Sequence, residues 1–110
     1  MENHLPGYID FELKYDFICS NKNRAVIFYA LACYKNGIQP EKLANLLGLS
    51  HRTVLYHLDI LNYYGLAEVK KYRERGYKLI RALWGLNTKN KEIQKLLRKL
   101  KHAFNFKERV

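Results

Sequence analysis

The sequence predicts an α+β, mainly helical domain. It should have a three-helix core followed by a β-hairpin, with an N-terminal strand and a C-terminal amphipathic helix at the two ends. Three observations carry that expectation. Apolar residues recur at helical spacing through residues 20–64, a short charged turn separates two β-rich runs between 66 and 83, and the net charge of +10 comes entirely from residues 66–110. At 110 residues the chain is one domain with short extensions: an N-terminal extension at 1–19, the main domain at 20–85 and a terminal helix at 86–110. Hydrophobic residues at 48% and charged residues at 27% belong to a packed globular protein and exclude a disordered tail.

Residues Ile9 to Asp16 alternate, with Ile9, Phe11, Leu13 and Tyr15 on one side and Asp10, Glu12, Lys14 and Asp16 on the other, the period of a half-buried strand. Ile9, Leu13 and Phe17 at i, i+4 spacing are the helical alternative. Ser20 stands as the N-cap of a first helix running to about Tyr34, with Ile27, Phe28, Leu31 and Tyr34 at core spacing and Asn36-Gly37 as the stop. Ile38-Gln39 reads as a short extended link. Pro40 sits where a first helical turn tolerates proline, and Glu41 to Leu47 forms a second, two-turn helix. Gly48-Leu49-Ser50 breaks it, Ser50 caps a third helix from His51 to Tyr64, and Gly65 ends that helix. Leu66 to Tyr72 and Tyr77 to Leu83 are extended runs around Arg73-Glu74-Arg75-Gly76, a hairpin. Gly85 interrupts, and Thr88 or Asn90 caps a last helix with Ile93, Leu96, Leu97, Leu100 and Phe104 along one stripe.

Several function classes drop out. No apolar run approaches the roughly 18 residues of a membrane span, and the N-terminus lacks the basic-then-apolar pattern of a signal peptide, so a soluble cytoplasmic protein without a membrane partner is expected. Cys19 and Cys33 lie in apolar surroundings and form no CxxC pair; they read as core thiols, and a reducing compartment fits better than a disulfide scaffold. Catalysis lacks its parts: there is no phosphate-cradling glycine cluster, no nucleophile with an evident base, and no carboxylate pair beyond Asp10 and Glu12. No enzyme, no cofactor and no small-molecule ligand pocket are expected.

The charge distribution is more specific. Residues 1–65 hold six bases and six acids, whereas residues 66–110 hold fourteen bases against four acids, so a basic region is attached to a neutral core and favours a polyanionic partner. Two helices joined by a short turn containing glycine, with Leu43, Ala44, Leu47, Leu49, Val54, Leu58 and Leu61 as their apolar set, have the spacing of a helix-turn-helix. Ala44 lets the second of these helices cross close above the first, and Gly48 supplies a turn that a Cβ would resist.

The stretch LANLLGLSHRTVLYHLDILNYYGLAEVKKY, residues 43–72, resembles the winged helix-turn-helix of ArsR-like prokaryotic transcription regulators, and Arg24, Ile27, Phe28 and Leu31 are similar to that family's first helix. The resemblance covers residues 20 to about 83. It implies a homodimer that binds double-stranded DNA, with the third helix in the major groove and the hairpin, or wing, on the backbone or in the minor groove. With Val54, Leu58 and Leu61 turned to the core, helical geometry puts Arg52, Tyr56, Asp59 and Tyr63 on the opposite face. Arg52 can pair with guanine or phosphate, Ser50, His51 and Thr53 lie at a helix N-terminus that favours phosphate, and Tyr56 and His57 are expected as donors. In the wing, Lys70, Lys71, Arg73, Arg75 and Lys78 should neutralise phosphates.

The sequence departs from the family pattern at Leu55, where these regulators commonly carry a small polar residue that reads bases, and at Asp59, a negative charge on the face that meets DNA. Leu55 could touch a thymine methyl; Asp59 could accept from cytosine or pair with Arg52 or Lys70. Metal-sensing members carry cysteine pairs near the third helix or His and acidic ligands on the terminal helix. Neither set is present and His102 stands alone, so no metal is expected. The terminal stripe of Ile93, Leu96, Leu97, Leu100 and Phe104 can pack on the protein itself or on a dimer mate, lie on an anionic membrane, or leave its basic face to DNA phosphates; dimer packing is the favoured reading. A nonspecific architectural DNA- or RNA-binding protein, or a protein-interaction module, is the alternative for the whole chain.

Overall fold

A computed structural model describes the backbone of residues 7–75 and 78–104, and the side chains of residues 11–70 and 82–103. Its elements are α1 (Gly7–Cys19), α2 (Lys22–Ala32), α3 (Pro40–Leu47), α4 (His51–Tyr63), β1 (Ala67–Arg75), β2 (Lys78–Leu86) and α5 (Ile93–Phe104). The α+β, mainly helical class is as the sequence predicts.

The N-terminal segment is the first correction, for it is a helix and not a strand. Ile18 is buried, and Phe11, Tyr15 and Phe17 pack against the core, so the inward stripe is Phe11, Tyr15 and Ile18 at i, i+4, i+7. Phe11 and Tyr15 satisfy a period of two as well as a period of 3.6. Leu13 separates the periods: strand alternation would bury it beside them, and it is 53% exposed. Leu13 also breaks the other helical pattern, the one through Ile9, Leu13 and Phe17. Ion pairs hold α1 to the far end of the chain, Lys14 with Glu92 at 2.7 Å and Glu12 with Lys99 at 2.8 Å. The Lys99 ammonium also lies 4.3 Å from the centre of the Tyr15 ring.

The first helix of the main domain starts one cap later than expected. Asn21, not Ser20, accepts from the backbone N–H of Arg24, at 3.1 Å, while the Ser20 hydroxyl donates back to the Phe17 carbonyl at 2.7 Å. The helix ends at Ala32, short of Tyr34. Gly37 follows with φ 95°, and a Cβ there would stand 2.8 Å from that of Leu83, so both its conformation and its neighbour require glycine. This close approach lets Ile38 exchange two backbone hydrogen bonds of 2.9 Å with Trp84, docking the link before α3 onto β2.

Helices α3 and α4 form as expected. Pro40 opens α3, Gly48 closes it in the left-handed region, and Ser50 caps α4 by accepting from Thr53 N–H at 3.1 Å. The hairpin is longer than the sequence suggests. Arg73 pairs with Arg81, Glu74 with Leu79 and Arg75 with Lys78, so most of the expected turn is strand; Gly76 and Tyr77 lie outside the described residues. Gly85, expected to interrupt, is inside β2, where a Cβ would come within 3.0 Å of the Lys70 stem. Asn90, rather than Thr88, supports the start of α5, accepting from Glu92 N–H at 3.0 Å, and Asn87 and Asn90 both donate to the Gly65 carbonyl.

One core joins these elements, and it changes the reading of α5. Ile93, Leu96 and Leu100 are buried within the chain itself, together with Ile18, Phe28, Leu31, Leu58 and Trp84. The assignment of these three residues to a dimer interface is therefore corrected: they are consumed by the intramolecular core, where α1, being a helix, packs alongside α5 and α2. Leu97 is only partly buried, and the Phe104 side chain lies outside the described residues. Nor are both cysteines core thiols, since Cys33 is exposed and Cys19 half-buried, and both are free.

Candidate nucleic-acid interface

Helix α4 divides cleanly into two faces. Val54, His57, Leu58 and Leu61 are buried, at i, i+3, i+4 and i+7 spacing. Arg52, Tyr56, Asp59 and Tyr63 are exposed, as the sequence places them, with Tyr56 at 58% and Tyr63 at 81%. Leu55 flanks that face at 36%. His51 and Arg52 occupy the first helical positions, where backbone N–H groups have no partner inside the helix and the helix dipole is positive. Ser50 and Thr53 are tied to each other by a hydroxyl hydrogen bond of 2.8 Å as well as by the cap.

His57, expected as a DNA donor, is corrected. It is 3% exposed and faces α2, on the same stripe as Val54 and Leu61. Burial first, and then the Arg24 guanidinium, hold its imidazole pKa below the usual 6.5, so the ring is neutral in the folded protein near neutral pH. Arg24 is itself buried. It donates from Nη1 to the Phe17 carbonyl at 2.8 Å and to the Ser20 hydroxyl at 3.1 Å, and its guanidinium lies 4.1 Å from the centre of the Phe17 ring. Arg24 Nε and His57 Nδ1 make no hydrogen bond among the described residues. The signal for His57 was present in the sequence, since position 57 falls three residues after Val54 and four before Leu61.

In the wing, the Lys70 ammonium pairs with Glu68 at 2.8 Å rather than with Asp59. Lys71, Arg73 and Arg75 are placed in β1 and Lys78 in β2; their side chains lie outside the described residues. The register alone sets Arg73 opposite Arg81 and Arg75 opposite Lys78. Like charges facing each other across a ladder repel, and a polyanion relieves that repulsion.

One feature escaped the sequence. A shallow cleft of about 250 Å³ opens between the end of α2 and the outer side of α5, lined by Tyr29, Ala32, Cys33, Gln94, Leu97, Arg98 and Lys101. It exists only because the two helices pack, and they lie some sixty residues apart. Among the described residues no group of three or more His, Cys, Asp or Glu side chains could hold a metal ion, and no helix is long and apolar enough to cross a membrane.

No family model and no curated protein matches the sequence. Solved structures do match the fold. The homodimeric winged helix-turn-helix DNA-binding domain of a possible ArsR-family transcriptional regulator from Mycobacterium bovis superposes with a TM-score of 0.62 at 18% identity, covering 96% of this chain and 91% of that one. A mutant of MepR from S. aureus bound to an oligodeoxyribonucleotide gives 0.59 at 18% identity, over 89% and 70%. The transcriptional regulator PcaV from Streptomyces coelicolor, in complex with its natural ligand, gives 0.59 at 16% identity, over 96% and 81%. With α2, α3 and α4 as its three-helix core and β1–β2 as its wing, the chain has the winged helix-turn-helix fold of ArsR- and MarR-type transcriptional regulators.

Proposed function

We propose that this chain is a homodimeric transcriptional regulator that binds duplex DNA sequence-specifically in the cytoplasm. Helix α4 enters the major groove, and the basic wing lies on the backbone or in the adjacent minor groove. The observation that carries this reading is the division of α4. Its inner face is spent entirely on the core, while its outer face and its free N-terminal amides are left to a partner, beside a wing whose register opposes cation to cation. Ser50, His51, Arg52 and Thr53 approach phosphate or a base edge at the helix N-terminus, and Leu55 and Tyr56 face the bases. Lys70, Lys71, Arg73, Arg75 and Lys78 supply the salt-dependent, sequence-independent part of the affinity.

The homodimer follows the mycobacterial neighbour, which is one. With Ile93, Leu96 and Leu100 buried in the chain's own core, the dimer surface is proposed on α1 around the exposed Leu13. A two-fold symmetric dimer would present two α4 helices, one to each half of an inverted repeat.

The test is selection from a random pool of duplex DNA at physiological salt, followed by sequencing of the bound fraction. The expected result is an enriched inverted repeat with half-sites about one helical turn apart. Retention without an enriched sequence would replace the regulator by an architectural or coating protein. No retention would leave α4 as a protein-binding surface.

A further inference from the structure

Exposed leucines and tyrosines are ordinary when scattered singly over a surface. Here they are not scattered. Among the described residues the large hydrophobic side chains left exposed are Leu13, Leu46, Leu55, Tyr56, Tyr63 and Tyr64, and all but Leu13 belong to α3, α4 or the residue that caps α4. The helix-turn-helix therefore presents an apolar and aromatic surface in a protein whose net charge is +10.

Resting on the reading that α4 enters the major groove, we propose that Leu55, supported by Tyr56, reads thymine through its 5-methyl group, so that the preferred half-site carries thymine where the second turn of α4 meets the bases. Leu55 has no hydrogen-bonding atom. Among the features that base pairs present in the major groove, donors and acceptors can only be desolvated by such a side chain, whereas the thymine methyl gains from it. Position also fits. Leu55 stands one turn beyond Arg52, at i+3, so an Arg52 contact to phosphate or guanine fixes where along the groove the leucine falls. Asp59 follows one turn later, at i+4, and as an acceptor it matches the exocyclic amine of adenine or cytosine and opposes the acceptor-rich edge of guanine. Tyr56 is braced, its ring meeting the buried His57 ring edge-on at 5.1 Å and 70°, so less side-chain freedom is lost when it is covered.

The experiment uses the full chain and the best duplex recovered by the random-pool selection. Each thymine is replaced in turn by deoxyuridine, which keeps every hydrogen-bonding atom and removes only the methyl group. One thymine per half-site should show a loss of about fourfold, the effect of withdrawing one buried methyl-sized group. Leu55→Ala, a surface change that leaves the core intact, should bind the thymine duplex more weakly and lose its sensitivity to deoxyuridine at that same position. An enriched sequence bound equally well with deoxyuridine at every position would overturn this inference and leave the regulator reading standing. So would a Leu55→Ala protein that retained the full deoxyuridine penalty. A selection that enriched no sequence would remove both.

Discussion

The outer face of α4 and the wing are adjacent in sequence and opposite in chemistry. Between His51 and Tyr63 the exposed residues are His51, Arg52, Leu55, Tyr56, Asp59, Asn62 and Tyr63, so the one arginine is balanced by the one aspartate. Between Lys70 and Lys78 the chain places five cations against one acid, and the register sets Arg75 opposite Lys78 and Arg73 opposite Arg81. A polyanion would be held by the second surface and sorted by the first. Base-edge recognition needs shape and directional groups held rigidly, which a packed helix provides; charge neutralisation needs only density, which a two-stranded ribbon provides.

The largest expected effect breaks the wing. Lys71→Gln, Arg73→Gln and Arg75→Gln together should reduce the slope of log affinity against log salt by about 3 and weaken binding on the order of a hundredfold at physiological salt, equally on all sequences. A salt titration by fluorescence anisotropy measures both, and an unaltered slope would remove the wing from the interface. Next, Arg52→Ala should cost roughly 1–3 kcal/mol on the preferred duplex and much less on random DNA. Equal losses on both would mean that Arg52 touches only phosphate, and the contrast between the two surfaces would then be weaker than proposed.

The inner face of α4 gives a prediction about stability. His57 has a pKa held below 6.5 by burial and by Arg24, so the unfolded chain binds a proton that the folded one resists. Stability is then full above pH 6.5 and falls as the pH drops through 6.5 toward the lowered folded value. Melting temperatures at pH 7.5 and pH 5.5 should show the loss, and His57→Leu should reduce it; an unchanged pH dependence in that variant would mean other groups set it. The smallest effect belongs to Tyr63→Ala. At 81% exposure this residue should change stability by no more than about 0.5 kcal/mol in a denaturant titration, and a larger loss would show that its ring contact with Tyr64 supports the end of α4.

The helix-turn-helix was legible because its determinants are local. Pro40, Gly48, Ser50 and Gly65 each act on the backbone within a turn of themselves, and the stripe through Val54, Leu58 and Leu61 needs no knowledge of what it packs on. The residues expected to contact DNA divide. Arg52, Tyr56 and Tyr63 are outward as helical geometry requires, whereas His57 lies on the core stripe with Val54 and Leu61, and that position outweighs what an imidazole can donate.

By itself the sequence determined where helices begin and end in residues 40–65, which face of α4 is apolar, and that the net positive charge lies after residue 65. Only the tertiary structure decided that residues 7–19 are helical, that Ile93, Leu96 and Leu100 of α5 are covered by this chain, that Arg24 and His57 share a buried site, and that Gly37 is held against Leu83. The physical reason is common to all four. Caps, turns and amphipathic periods are set by interactions within a few residues, while the period adopted by Phe11 and Tyr15, and the partner of any apolar stripe, depend on surface supplied by segments far away in sequence.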